Sequence, residues 1–284
     1  MDDIYGLISV RPPYCALEDV ELDYGALTAT VRRSYPMKHE IGAIAAAEVG
    51  RHLAIAGAAA AATRNPLPGK HFYLARAARI ERVADSLGQA GALSRFQVEA
   101  SSEGVLKRRA SAFAVLKQQQ ADRMVDLYRI RVEYDVIAPA IYKRMVRGLP
   151  AVDMAALDEL DVFEVPLTPL PDADGAIRAE MLVKPEYCFG HFPEYPAFPV
   201  AKLMHLLSNL AGDHLGALLE RPGAGYVVER AEVAAERLPF AGSTVALRSR
   251  FAGQTGDGCH HFACEARVGA DVCGAMDLYL SEHA

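Results

Sequence analysis

Residues 188–199 of this 284-residue chain are Cys-Phe-Gly-His-Phe-Pro-Glu-Tyr-Pro-Ala-Phe-Pro. The stretch holds one histidine, His191, between a glycine and a Phe-Pro step, and three prolines at positions 193, 196 and 199. Each proline fixes its own φ angle and removes a backbone donor, so a stiff loop is predicted. Apolar residues then recur at three- and four-residue steps over 200–220, which predicts a helix. A rigid loop that presents a histidine at the start of a buried helix is a candidate site of chemistry.

Around this loop the second half of the chain alternates strand patterns with turn residues. Strands are predicted at 163–167, 176–183, 225–236, 243–252, 260–269 and 272–281. The first half has a similar order: a hairpin over 17–33, a helix over 41–62 and strands at 72–83, 94–101, 106–118 and 124–136. The order therefore predicts two domains, residues 1–147 and 148–284, each an antiparallel sheet around one long helix.

The helix predicted over 41–62 is apolar on nearly every face and long enough to span a membrane. It carries Glu48, Arg51 and His52 in its middle and is mostly alanine. A buried helix of a soluble protein is therefore the preferred interpretation.

The loop resembles the G-H-F-P-x-x-P-x-x-P motif of the bacterial 3-hydroxyacyl-ACP (acyl carrier protein) dehydratases. Gly190, His191, Phe192 and the three prolines fall in register. The resemblance covers roughly residues 160–282 and implies an α+β double hotdog: two antiparallel sheets, each wrapped round a long central helix, as a pseudo-dimer within one chain. Two positions depart from the family pattern, Val200 in place of a glycine and His205 in place of the helix acid.

In the family that this resemblance implies, the loop histidine removes the α proton of a 3-hydroxyacyl thioester. A carboxylic acid from the other subunit protonates the departing hydroxyl. The first helix carries one carboxylate in its apolar middle, Glu48, and His52 follows it one turn later. In the second helix, Asn209 follows His205 at the same four-residue spacing. We therefore predict that His191 and Glu48 form one composite catalytic site, that Glu48 corresponds to His205, and that the second, equivalent site is inactive.

The predicted substrate-binding residues are Gly190 and Phe192 of the loop and the helix starts near Gly42 and Val200. Backbone N–H groups at a helix start can polarise a thioester carbonyl, and the sequence does not choose between Gly42 and Val200. No metal site is predicted, because adjacent residues such as His260 and His261 point to opposite faces of a strand. No cofactor is expected, since the substrate is carried on phosphopantetheine.

The composition restricts the partners. A net charge of −6 does not favour nucleic-acid binding, and five cysteines without a CxxC pair favour a reducing compartment. The first residues lack the basic region of a signal peptide, so we expect a cytoplasmic protein without a membrane association. The expected partner is an acyl carrier protein, with coenzyme A as the alternative, and a homodimer of double hotdogs is a further expectation. The basic runs at 107–109 and 143–147 are candidate docking surfaces.

The predicted function is dehydration of a 3-hydroxyacyl thioester to the enoyl thioester, in fatty-acid or polyketide-type biosynthesis, which makes the chain a hydro-lyase. A hotdog acyl-thioesterase is the first alternative, in which Glu48 activates water and His191 matters little. A non-catalytic protein that binds an acyl thioester or its carrier is the second.

Overall fold

A computed structural model gives the structure of the chain. It describes residues 2–33, 35, 37–67, 69–83, 87, 95–149, 152, 165–192 and 195–283. Parts of the predicted elements, among them residues 94 and 163–164 and the motif residues 193 and 194, lie outside the described residues.

Twelve strands of the part of the chain that the structure describes form one continuous antiparallel sheet. Their bounds are β1 Glu18–Asp23, β2 Ala26–Arg32, β3 Phe72–Arg82, β4 Arg95–Leu106, β5 Arg109–Gln120, β6 Arg123–Ile137, β7 Leu170–Pro171, β8 Ile177–Leu182, β9 Gly225–Ala235, β10 Thr244–Gln254, β11 His260–Val268 and β12 Asp271–His283.

In the described residues, four α-helices accompany the sheet: α1 Asp2–Ile8, α2 Ala46–Ala62, α3 Pro139–Met145 and α4 Val200–Leu218. A 3-10 turn, Pro185–Cys188, precedes the histidine loop. Within the described ranges, no helix has both the length and the apolar character needed to cross a membrane.

The strand order is β1-β2-β4-β5-β6-β3-β9-β12-β11-β10-β8-β7. Counted from the outer edge of the sheet, the strands of the first half have the same order as those of the second half. The two halves join at the centre of the sheet, where β3 pairs with β9. Two separate sheets were predicted, and this detail is wrong: residues 77–81 of β3 hydrogen-bond with 230–234 of β9. Pairing two inner edges leaves neither edge exposed, which removes a site of aggregation.

Each long helix lies against its own half of the sheet. Helix α2 packs on β2, β4 and β5, and α4 packs on β8, β10, β11 and β12. The two helices also touch each other, where a Cβ atom added to Gly50 of α2 would lie 3.7 Å from Cε of Met204 in α4. Every residue of α2 except Ala54 is buried, as its apolar sequence predicts.

Helix α4 begins at Val200 as predicted, but α2 begins at Ala46 and not at residue 41. The reason is a cap from outside the helix: the carboxylate of Glu40 accepts a hydrogen bond from the N–H of Ala46 at 2.7 Å. Among the predicted strands, the described part of 163–167 is not a strand, and a short strand at Leu170–Pro171 pairs with β8 instead.

Candidate active site

A narrow cavity lies where the two halves of the chain meet. Its wall includes the histidine loop, the start of α4, helix α2, strands β3, β6 and β9, and the segment between α1 and β1. The described lining residues are Ile8, Val10, Tyr14, Gly50, Arg51, Ala54, Ile55, Ala58, Tyr73, Leu74, Ala75, Arg76, Ala77, Ala78, Ile80, Ile130, Val132, Tyr134, His191, Phe192, Val200, Ala201, Met204, Val233, Ala235 and Leu238. Most of these side chains are aliphatic, so the cavity suits an apolar chain.

His191 is the titratable side chain of this wall that is best suited to proton transfer. Its Nδ1 lies 2.9 Å from the carbonyl oxygen of Ala197. A carbonyl only accepts hydrogen bonds, so Nδ1 carries the proton and Nε2 keeps its lone pair. Burial lowers the pKa of His191 to about 4. The imidazole is therefore neutral near pH 7 and can accept a proton at Nε2.

The loop conformation depends on Gly190. This residue has a φ angle of +76°, and a Cβ atom there would lie 2.8 Å from the backbone nitrogen of Tyr14. The N–H of Arg11 donates to the carbonyl of Gly190 at 2.9 Å, and Val10 forms a β-bridge with His191. The loop of the second half is thus clamped to the first ~15 residues of the chain, and only glycine allows this approach.

Helix α4 begins at the cavity wall. Val200 and Ala201 line it, and their N–H groups donate to no group in the described part of the chain. The first amides of a helix have no intrahelical acceptor and carry the positive end of the helix dipole. They can therefore accept a ligand oxygen on which negative charge develops.

Glu48 does not line this cavity among the described residues. Its side chain is fully buried, with Oε1 3.5 Å from a guanidinium nitrogen of Arg51 and 3.7 Å from Nε2 of His52. The structure therefore brings His191 to the cavity wall and leaves Glu48 in an ion pair beside it. A shared catalytic role of these two residues stays a prediction.

The predicted equivalence of Glu48 and His205 is wrong by one helical turn. Counted from the helix starts at Ala46 and Val200, Arg51 corresponds to His205 and Glu48 to Lys202. The close approach of Gly50 and Met204, which are equivalent in the same count, supports this alignment.

Arg51 and Tyr14 are polar residues at this wall to which the sequence analysis gave no role. The guanidinium donates to the hydroxyl of Tyr35 at 2.8 Å and lies 5.7 Å from the ring centre of Tyr14. The ring of Tyr14 packs against His191, with 5.2 Å between ring centres. No sequence pattern links Tyr14 to His191, which follows 177 positions later in the chain.

The pseudo-dimer has a second location, at the start of α2, that is equivalent to this cavity. The chain's own side chains fill it. The carboxylate of Glu40 takes the first amide of α2, and burial raises its pKa to about 7. The ring of Tyr226 covers Gly212 of α4, where a Cβ atom would meet ring carbon Cδ1 at 2.9 Å. Predicted binding residue Gly42 lies in the irregular segment before α2 and does not line the described cavity wall.

His205 lies near this filled location. Its Nε2 is 3.1 Å from the side-chain amide of Asn209, and burial lowers its pKa to about 4.

Other reactive groups are inert in this setting. All five cysteines are free thiols, and burial raises the pKa of Cys188, next to the loop, to about 12. In the described part of the chain, no group of three or more histidine, cysteine, aspartate or glutamate side chains is arranged to hold a metal ion.

Comparison with known proteins gives similarity in structure only. No protein-family model matches the chain, and no curated protein sequence matches it significantly. A 12:0-ACP thioesterase from Umbellularia californica superposes with a TM-score of 0.59 at 10% identity, over 91% of this chain and 94% of that one. An acyl-ACP thioesterase from Bacteroides thetaiotaomicron gives 0.56 at 13% identity, over 90% and 98%.

A third solved structure supplies the name of the fold. A protein of unknown function with a hot dog fold, from Alicyclobacillus acidocaldarius, gives a TM-score of 0.55 at 12% identity, over 93% of this chain and 96% of that one. The chain has the hotdog fold. At these identities the likeness establishes the fold alone, so the activity is argued from the site.

Proposed function

We propose that this protein is a hotdog acyl-thioesterase, which hydrolyses an acyl thioester to the free acid and a thiol. The finer architecture, a double hotdog with a boundary near residue 147, belongs to this proposal. It is supported by the identical strand order of the two halves.

The observation that carries the proposal is the set of polar groups at the cavity wall. A neutral histidine and helix-start amides that donate to no described group lie there, and none of the described lining residues is an aspartate or a glutamate. Dehydration of a 3-hydroxyacyl thioester needs an acid, because hydroxide is a poor leaving group. Hydrolysis needs a base for water and donors for the oxyanion, since a thiolate leaves without prior protonation. The site is therefore better suited to hydrolysis.

The proposed reaction uses each group once. Nε2 of His191 takes a proton from water while the resulting hydroxide oxygen bonds to the thioester carbonyl carbon. The carbonyl oxygen becomes an oxyanion that accepts hydrogen bonds from the N–H groups of Val200 and Ala201. When the oxyanion collapses, the C–S bond breaks, and the imidazolium of His191 returns its proton to the thiolate. The products are a carboxylic acid and a thiol, and the histidine is neutral again.

The apolar wall supports an aliphatic acyl chain as the substrate. Ala54, Ile55 and Ala58 of α2 face Ile130 and Val132 of β6 across it. These side chains offer no partner to a polar acyl substituent.

The proposal is tested by product analysis. Wild type and His191→Gln are incubated with saturated acyl pantetheine thioesters and with a 3-hydroxyacyl pantetheine thioester, and products are measured by mass spectrometry. We expect free acid from the wild type and a loss of about 10²–10⁴-fold in kcat/KM for His191→Gln. His261→Gln is the matched control: this partly buried histidine of β11 contacts Asp277, does not line the cavity, and its replacement should retain activity.

Each other outcome has a defined meaning. An enoyl thioester as product would replace the thioesterase by the dehydratase that the loop motif predicts. Full activity in His191→Gln would rule out the proposed base. The absence of turnover on every thioester would favour the non-catalytic alternative.

A further inference from the structure

The segment between α1 and β1 is held against the histidine loop by backbone hydrogen bonds. The N–H of Arg11 donates to the carbonyl of Gly190 at 2.9 Å, and the N–H of Cys15 donates to the carbonyl of Arg11 at 3.0 Å. The second bond closes a turn that contains Tyr14. These bonds bring Tyr14 to the loop, so its side chain has a fixed place beside His191.

The ring of Tyr14 is also held from its other side. The residue is only 5% exposed and lines the cavity. The guanidinium of Arg51 lies 5.7 Å from the ring centre, within the range of a cation–π contact. Arg51 belongs to the buried helix α2 and donates to the hydroxyl of Tyr35 at 2.8 Å. The Tyr14 ring is therefore a firm support for a neighbouring group.

The imidazole of His191 needs such a support. The hydrogen bond from Nδ1 to the carbonyl of Ala197 fixes one nitrogen, but the rest of the ring can still swing about it. The ring of Phe192 lies 3.9 Å from the imidazole at an interplanar angle of 32°, and the ring of Tyr14 lies 5.2 Å away at 65°. One ring thus lies along the imidazole and the other stands across it. Together they restrict the swing in two directions.

The orientation of the imidazole matters because the base must meet one water molecule. In the proposed reaction, Nε2 of His191 takes a proton from water while the carbonyl oxygen is bound at the start of α4. A misplacement of about 1 Å can cost about 10²-fold in rate. A base that swings meets the water in only part of its orientations. The chemical step then slows, whereas substrate binding is little affected.

We propose that Tyr14 is a positioning residue for the hydrolysis, which holds the imidazole of His191 with Nε2 directed to the attacking water. The aromatic ring has this role, and the hydroxyl takes no part in the proton transfer. The site is thus completed by both halves of the chain, since the base comes from the second half and its support from the first. The effect on the rate rests on the proposed hydrolysis, but the orientation of the imidazole can be measured without it.

The kinetic test separates the ring from the hydroxyl. Tyr14→Leu removes the flat ring, Tyr14→Met fills the same gap with a flexible chain, and Tyr14→Phe removes only the hydroxyl. On a two-carbon acyl pantetheine thioester, we expect kcat to fall about tenfold or more in the first two variants, with KM within about threefold of the wild type. For Tyr14→Phe, kcat should stay within about threefold of the wild type. Thermal unfolding confirms that each variant is folded.

The direct test observes His191 in the folded protein without substrate. Proton–nitrogen correlation spectra of the histidine rings report which nitrogen carries the proton, and the signals absent from His191→Gln are those of His191. We expect one Nδ1–H form in the wild type and in Tyr14→Phe, and signals averaged between the two tautomers in Tyr14→Leu. Tyr73→Leu is the matched control, because Tyr73 is a buried tyrosine of the same wall whose ring packs on Tyr134 at 6.2 Å. Its loss should leave the His191 signals unchanged.

The positioning role is overturned by any of four results. These are a wild-type kcat in Tyr14→Leu, a loss of kcat in Tyr14→Phe as large as in Tyr14→Leu, His191 signals that do not change in Tyr14→Leu, and equal averaging of these signals in Tyr73→Leu. Failure of the proposed function gives a different result. If the wild type hydrolyses no thioester, the spectra alone decide: averaged His191 signals in Tyr14→Leu but not in Tyr73→Leu support the role, and any other pattern overturns it.

Discussion

The carboxylate of Glu48 is held by Arg51, three residues further along the same helix, at 3.5 Å, and both side chains are completely buried. The guanidinium also donates to Tyr35 and lies 4.7 Å from its ring centre. Taking two charges out of water costs several kcal/mol per ion, so each charge depends on the other for its stability in the folded chain. Glu48 thus has a structural task where the sequence predicts a catalytic one.

Replacement of Glu48 by glutamine should separate these two roles. The amide keeps the shape but leaves Arg51 as a buried charge without its carboxylate. We expect the free energy of unfolding to fall by about 3–5 kcal/mol, measured by urea titration. The rate of the remaining folded protein should stay within about tenfold of the wild type. A collapse of kcat at wild-type stability would instead make Glu48 a catalytic acid.

The matched control is Asp126→Asn. Asp126 and Arg129 have the same three-residue spacing and lie 2.9 Å apart, but their side chains are 32% and 48% exposed. An exposed pair contributes about 0–1 kcal/mol, so this variant should unfold almost like the wild type.

The sequence predicts the elements of the fold better than the site. Glycine and proline mark the loop before Val200, and alternation marks most strands, because these signals are local. The start of α2 is misplaced, since residues 41–45 are apolar and the cap comes from Glu40, a residue type seldom used for capping. The predicted equivalence of Glu48 and His205 rests on the four-residue spacing that Glu48 and His52 share with His205 and Asn209, and this spacing does not fix the start of either helix. The contact of Tyr14 with His191, and the joining of β3 to β9, depend on tertiary packing that no local pattern records.

The pH dependence of hydrolysis should reveal the burial of His191. Burial lowers its pKa to about 4, and the neutral form is the base. We expect kcat/KM to be level from pH 7 to about 5 and to fall as the pH drops through 4. An exposed histidine would lose activity near its usual pKa of about 6.5. An acid limb near 6.5 would contradict the neutral, buried base.

The same measurement needs a stability control, because His52 and His205 also have their pKa lowered to about 4 by burial. The unfolded chain takes up these protons below about pH 6.5 and the folded chain only below 4. The contribution of these histidines to stability is therefore full above pH 6.5 and is lost as the pH falls from 6.5 to 4. Rates should be taken within seconds after a pH jump, and His261→Gln should leave the acid limb unchanged.

Gly190→Ala should disturb the histidine loop. The φ angle of +76° disfavours any side chain, and the new Cβ atom would collide with the backbone at Arg11 and Tyr14. We expect a loss of more than about 1–3 kcal/mol in stability and a fall in kcat, because the loop must move away from the first residues of the chain. Gly242→Ala is the control, since Gly242 also has a positive φ, +89°, but no atom within 4 Å of the added Cβ. Equal effects of the two substitutions would show that the close approach does not matter.

The length of the acyl chain should be set by the α2 wall of the cavity. Ala58 lies two turns beyond Gly50, about 12 Å further along the helix from the contact with Met204, and its side chain is small. Ala58→Leu should fill this far part of the cavity. We expect kcat/KM for a long saturated acyl pantetheine to fall about tenfold or more, while a two-carbon or four-carbon acyl thioester, which ends before Ala58, is hydrolysed at the wild-type rate. Thermal unfolding within a few degrees of the wild type serves as the control for packing. If long and short chains lose activity equally, or if neither does, the acyl chain does not follow α2, and the aliphatic wall formed with β6 is not its binding site.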